Sequence, residues 1–201
     1  MHENELRLYI VRHGHSIANY SHAYSGQSDV PLAPEGFDDA RSAGRLLSNI
    51  SFTKVYCSEL LRARQTCETA MPNRLYETDA RLNEVSVGNL AGIMPEDAEE
   101  KYGEIHAWAR AHRDFTAFGG ENHEIHLSRT ASFMREMEHS GIKGNIAVFC
   151  HDGTIRTMLD YALGALVSLK KVRIDNGSIS VLVWRDERWL LERWNVTDKL
   201  V

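Results

Sequence analysis

Two hydrophobic patterns alternate along the chain. Residues 6–11 and 145–150 are nearly continuous apolar runs of strand length. Such runs suit strands buried on both faces, as in a parallel sheet. Residues 54–57, 178–184 and 189–196 read as three more strands. The last two flank Arg185-Asp186-Glu187-Arg188, which reads as a hairpin turn. Elsewhere the apolar spacing changes to three and four. Phe37, Ala40, Gly44 and Leu47 mark one face of a helix that Pro34 is well placed to open. The same reasoning predicts helices at 60–70, 96–113, 122–139 and 153–164. Alternating strands and helices imply an α/β fold with helices on both faces of a sheet.

In such sheets ligands bind beyond the carboxyl ends of the strands. His13 and His151 each follow directly on one of the two most apolar strands, and Ser58 follows a third. That placement is the first functional signal.

Four stretches carry candidate chemistry. In Val11-Arg12-His13-Gly14, with Asn19 nearby, an arginine fork adjoins an imidazole. Arginine binds phosphate oxygens through its planar fork. A neutral imidazole can attack phosphorus, and adjacent arginine charge keeps it neutral. Gly14 is expected to let the backbone approach a phosphoryl group. In Ser58 to Thr66, Ser58 reads as the N-cap of a helix, with Arg62 one turn in and Arg64 solvated. His151, in Cys150-His151-Asp152-Gly153, can donate to a phosphoryl oxygen. In Leu82 to Gly92, Glu84 can protonate a leaving oxygen and then activate water. Taken singly, each has an ordinary alternative: a loop Arg-His pair, a plain helix start, a core histidine, a solvated glutamate.

The composition of 201 residues, 43% hydrophobic and 25% charged, bounds the answer at one globular domain. A net charge of −5 provides no basic footprint, so nucleic acid is not an expected partner. An anionic ligand must be held by local positive charge. Three cysteines, Cys57, Cys67 and Cys150, fit a reducing compartment better than a disulfide framework. The start MHENELRLYIV has no signal-peptide pattern, and no run approaches the roughly 18 apolar residues of a membrane span. A cytoplasmic protein is expected.

The four stretches occur in one order and together resemble the histidine phosphatase superfamily, also called the phosphoglycerate mutase-like family. The matching pieces are Arg12-His13-Gly14 with Asn19, Gly26 to Leu32 followed by Glu35-Gly36, Ser58 to Thr66, Leu82 to Gly92, Gly119-Gly120-Glu121-Asn122, and His151 with Gly153. The resemblance implies a three-layer α/β/α sandwich with a mostly parallel sheet, one domain over 1–201, and a lid or insert region at about 89–128. It implies that His13 is the phosphorylated nucleophile and Glu84 the proton donor. It implies that Arg12, Arg62 and His151 hold the phosphoryl group, with Asn19, Gly26, Gln27, Asp152 and Gly153 at the substrate. No metal or other cofactor is then needed. The partners expected are a small phosphorylated metabolite and a phosphate or sulfate ion in the pocket. His15 and Asp152 depart from the residues commoner in the family, and Asp152 is expected to pair with a nearby cation.

The family divides into hydrolases and mutases. A mutase must hold a bisphosphorylated intermediate, and 2,3-bisphosphoglycerate would be its primer. The lid region sets Glu96, Asp97, Glu99, Glu100 and Glu104 against Lys101, Arg110 and Arg113, which is not basic. A phosphomonoester hydrolase is therefore favoured over a phosphoglycerate mutase. Tyr102, His106, Trp108 and Phe115 are candidates for the leaving-group side or, equally, for core packing. A metal-dependent hydrolase built on His13, His15, His151 and Asp152 and a non-catalytic phosphate-binding protein are weaker alternatives. Trp184, Trp189 and Trp194 leave two readings open, a covered sheet edge or a homodimer interface.

Overall fold

The computed structural model describes residues 5–164 and 172–198. The opening MHEN of the stretch MHENELRLYIV lies outside them. Six strands form one sheet in the order β3-β2-β4-β1-β5-β6. They are β1 (Leu6–Arg12), β2 (Phe52–Cys57), β3 (Glu77–Thr78), β4 (Gly144–Cys150), β5 (Ile179–Arg185) and β6 (Arg188–Val196). β1 pairs parallel with β4, and β2 pairs parallel with both β4 and β3. β5 runs antiparallel to β1 and to β6. The hairpin turn is confirmed: Asp186 and Glu187 both take positive φ, as a tight two-residue connection requires.

The helices are α1 (Ile17–Ser21), α2 (Pro34–Leu47), α3 (Leu61–Ala70), α4 (Pro95–His112), α5 (His123–His139) and α6 (Asp152–Leu163). They cover both faces of the sheet. Leu6, Leu8 and Ile10 of β1 and Ile146 and Val148 of β4 pack with Phe133 and Met134 of α5 and Ile155 and Met158 of α6. Val11, Ala147 and Phe149 face the opposite way, onto Ala43 and Leu47 of α2 and Ala63 and Cys67 of α3. The continuous apolar runs arise because successive side chains meet a helical layer on each side. A third cluster of Val87, Leu90, Ala98, Ala109, Phe115 and Phe118 lies under α4. Gly103 breaks α4 with φ 50 and ψ −123, so the predicted helix at 96–113 is two segments across a kink.

Two expectations need correction. Ser58 is not the N-cap of α3, which begins at Leu61 with Leu60 as its cap residue. Gly14 is not open for a phosphoryl group, because its N–H donates to Thr66 Oγ1 at 3.1 Å. Its lack of a side chain serves packing instead: a Cβ there would stand 2.2 Å from Gly36 O at the start of α2.

Candidate active site

The parallel ladder brings the site together. Arg12 and Cys150 are register partners, so His13 and His151 leave adjacent strands side by side, with ring centroids 5.1 Å apart. The His13 N–H donates to Cys150 O and the Ser58 N–H to Phe149 O, pinning three strand ends. His13 is buried, and Arg62 and His151 are fully so.

His13 Nδ1 lies 2.7 Å from Gly14 O, which assigns the ring proton to Nδ1. Nε2 is left with its lone pair, and Arg62 Nε donates to it at 3.3 Å. Burial, then the charges of Arg62 and Arg12, hold His13 well below the usual histidine range. Arg62 is locked by donating to Ser28 O at 2.9 Å and Gly26 O at 2.7 Å. Burial lowers it to about 10, so it stays cationic at neutral pH.

His151 Nε2 lies 2.8 Å from Ser58 Oγ, which donates in turn to Asn83 Oδ1. With the hydroxyl proton on Asn83, His151 donates through Nε2. Its Nδ1 is buried and has no hydrogen-bond partner among the described residues, and the same holds for Arg12 Nε. Burial and the neighbouring Arg62 keep His151 neutral, well below the usual range. Arg12 Nη1 donates to Ile174 O and lies 4.0 Å from Asp152 Oδ1. Asp152 finds its cation in Arg156, at 2.8 Å and 3.0 Å.

Glu84 accepts from the N–H of Val85 at 2.8 Å and of Gly153 at 3.1 Å. Its loop is clamped by Arg129, which donates to Glu84 O, Asn83 O and Glu121 Oε1. Gln27 Nε2 donates to Glu84 O. Asn19 closes a capping box with Ser16 at the start of α1, and Asn176 donates to its Oδ1 at 3.4 Å. The structure thus brings His13, Arg62, His151 and Ser58 into one buried cluster, with Arg12 beside it on one side and Glu84 and Gly153 lining a cleft on the other.

A cleft of about 440 Å³ opens beside Glu84 and Gly153, lined also by Tyr24, Val87, Arg113, Phe115 and Arg156. Of the four aromatic candidates for this side, Phe115 lines it. His106 is buried against the Tyr24 hydroxyl at 2.9 Å, Tyr102 packs on Phe118, and Trp108 is exposed. Arg113, Arg156, Asn83 and Arg129 were not singled out from sequence as site residues. Among the described residues, no group of three His, Cys, Asp or Glu side chains is arranged to hold a metal ion. His15 is committed to Asp39, with Nδ1 and Oδ2 2.6 Å apart.

The family model for the histidine phosphatase superfamily (branch 1) matches residues 8–197. The chain belongs to the histidine phosphatase superfamily. Within this superfamily it is 33% identical over 163 residues to a 2,3-bisphosphoglycerate-dependent phosphoglycerate mutase of Azorhizobium caulinodans, covering 76% of this chain and 79% of that one. It is 28% identical over 185 residues to an adenosylcobalamin/alpha-ribazole phosphatase of Escherichia coli, covering 88% and 89%. The solved alpha-ribazole phosphatase of Shigella flexneri superposes with a TM-score of 0.87 at 26% identity, over 94% of this chain and 96% of that one. Histidine phosphatases and mutases therefore both stand among its relatives. No helix among the described residues is long and apolar enough to cross a membrane.

Proposed function

We propose that the protein is a metal-independent phosphomonoester hydrolase that acts on a small phosphorylated metabolite through a phosphohistidine at His13. The observation that carries this reading is the state of His13. It is buried and neutral, its Nδ1–H is fixed on Gly14 O, and its Nε2 lone pair is turned to the Arg62 guanidinium, from which it accepts. A nucleophile for phosphorus needs that lone pair, and the dianionic group it attacks needs that cation.

In the first step Nε2 attacks phosphorus, the ester P–O bond breaks, and Glu84 gives its proton to the leaving oxygen. In the second, the Glu84 carboxylate takes a proton from water, whose oxygen attacks phosphorus. The N–P bond breaks and inorganic phosphate leaves. Arg62 and Arg12 neutralise the transferring oxygens, and the unpartnered Arg12 Nε is the buried donor that a phosphoryl oxygen would satisfy. The two guanidiniums repel on the scale of about 4 kcal/mol for unit charges at 4 Å and an effective dielectric of 20, and the two neutral imidazoles do nothing to offset it. The resting pocket is accordingly expected to hold phosphate or sulfate. The segment at 89–128 would act as the lid.

The relatives favour one second reading, a 2,3-bisphosphoglycerate-dependent mutase. The test is phosphate release from phenyl phosphate in chelator, for the parent and His13→Ala. Release by the parent that is lost in the variant supports the hydrolase. No release, with phosphoglycerate isomerised in the presence of the bisphosphate primer, would establish the mutase instead.

A further inference from the structure

The cleft beside Glu84 has two unlike walls. One is apolar: Ala23, Val85 and Val87, with Tyr24 and Phe115 in edge contact at 6.3 Å between ring centroids. The Tyr24 hydroxyl is turned away to His106, so the ring itself forms the wall. The rest of the lining is charged in both signs, with Arg113 and Arg156 beside the carboxylates of Glu84 and Asp152. The Arg156 charge is matched by Asp152 at 2.8 Å. Arg113 forms no ion pair with any carboxylate among the described residues, and it sits close to the proposed chemistry. A Cβ built on Gly153 would stand 3.2 Å from Arg113 Nη2 and 2.2 Å from Glu84 Oε1. The Glu84 oxygens are already held by two backbone N–H groups. Arg113 therefore has no ion pair among the described residues, although its charge also acts on Asp160, and it lies within reach of whatever leaves with the ester oxygen.

Size adds a second constraint. A cleft of about 440 Å³ falls in the range of roughly 300–1,000 Å³ that encloses drug-sized ligands. Val87 and Phe115 are largely buried in the cluster under α4 and show only an edge to the cleft, and a compact polar alcohol would leave that edge and the Tyr24 ring in contact with water. Resting on the hydrolase reading, we infer that the substrate's alcohol combines an apolar or aromatic body with a negatively charged substituent, and that Arg113 selects for that charge. The body lies against Tyr24, Val87 and Phe115. The carboxylate or second phosphate on it meets the Arg113 fork, and the ester oxygen meets Glu84. Arg113 is placed by the end of α4, where it takes a left-handed conformation with φ 53.

The test compares two esters that differ only in charge: phenyl phosphate and 4-(carboxymethyl)phenyl phosphate. Phosphate release is followed in chelator for the parent, Arg113→Gln and Arg113→Lys. A charge-assisted hydrogen bond predicts that the parent prefers the carboxylated ester by about tenfold or more in kcat/KM, mainly through KM. Arg113→Gln brings the ratio of the two esters to about one, and Arg113→Lys restores part of it. A parent that hydrolyses both esters without preference overturns the inference while leaving the hydrolase reading intact. So does a preference that survives in Arg113→Gln. No release from either ester overturns the hydrolase reading and the inference with it.

Discussion

Gly153→Ala separates the chemistry from the fold. A Cβ at this position would stand 2.2 Å from Glu84 Oε1. Carbon and oxygen settle at roughly 3.3 Å, so the carboxylate must retreat by about 1 Å. It can do so cheaply, because it is the far end of a flexible side chain. Glu84 Cδ at 3.1 Å moves with its oxygen, and the next close atom, Arg113 Nη2 at 3.2 Å, is equally free to yield. The fold should therefore survive, and alanine in a helix is favoured over glycine by about 0.5–1 kcal/mol. The proton donor does not keep its place. A displacement of about 1 Å at a reacting group costs on the order of 100-fold in rate, or about 2.7 kcal/mol of barrier. The assay is kcat/KM for glycerol phosphate and 4-nitrophenyl phosphate, beside a thermal melt. Glycerol is a poor leaving group and needs the proton, so its turnover falls about 100-fold. Nitrophenolate leaves without help, so the aryl ester falls much less, and the melting temperature does not drop. Equal losses on the two esters, or no loss on either, would refute the placement of Glu84 as proton donor.

Ser58→Ala removes the hydroxyl between His151 Nε2 and Asn83 Oδ1 and leaves a buried N–H unpaired. Urea unfolding should show a loss of about 1–3 kcal/mol together with lower kcat/KM, and an unchanged unfolding curve would contradict the network. Burial holds His13, His151 and His126 below their usual range, His126 at about 2, so below about pH 6.5 the unfolded chain binds protons that the fold refuses. Stability measured in urea is thus complete above that pH and falls as pH drops, by on the order of 1.4 kcal/mol per unit per buried histidine. Asp160, raised to about 6 by burial, opposes this as one group against three, and a stability that rises from pH 6.5 to 5.5 would contradict the assignment. Asp152→Asn removes a carboxylate 4.0 Å from Arg12 Nη1, so inorganic phosphate should inhibit with a Ki lower by roughly two- to fivefold, and an unchanged Ki would show that this charge does not reach the pocket.

The parts of the fold most legible in the sequence are those where burial is two-sided. β1 and β4 announce themselves because both faces meet helices, and the strand-end rule then places His13, Ser58 and His151 together before any coordinates exist. β3 leaves no such trace: its two residues, Glu77 and Thr78, are exposed and pair only with Tyr56 and Cys57. α1 is five residues long and held by polar capping between Ser16 and Asn19 rather than by an apolar face. Ser58 looked like a cap because serine commonly caps helices. Its hydroxyl instead joins His151 and Asn83, and α3 starts three residues later. Gly14 looked like room for a ligand and is room for Gly36. The leaving-group side was legible only in part, because Arg113, Arg156 and Tyr24 come from separate elements that meet only in the folded chain. Arg129 had a signal in hindsight: it lies eight residues after Glu121 of the Gly-Gly-Glu-Asn stretch, on the helix that stretch opens.

The central claim is that His13 Nε2 takes the phosphoryl group. Mixing the protein with a phosphorus-labelled aryl phosphate and quenching in alkali within milliseconds tests it directly. The expected label is stable in alkali and lost in acid, carried by the peptide containing His13 and absent from His13→Ala. Turnover with no labelled protein at any quench time, or a label that persists in His13→Ala, would contradict it.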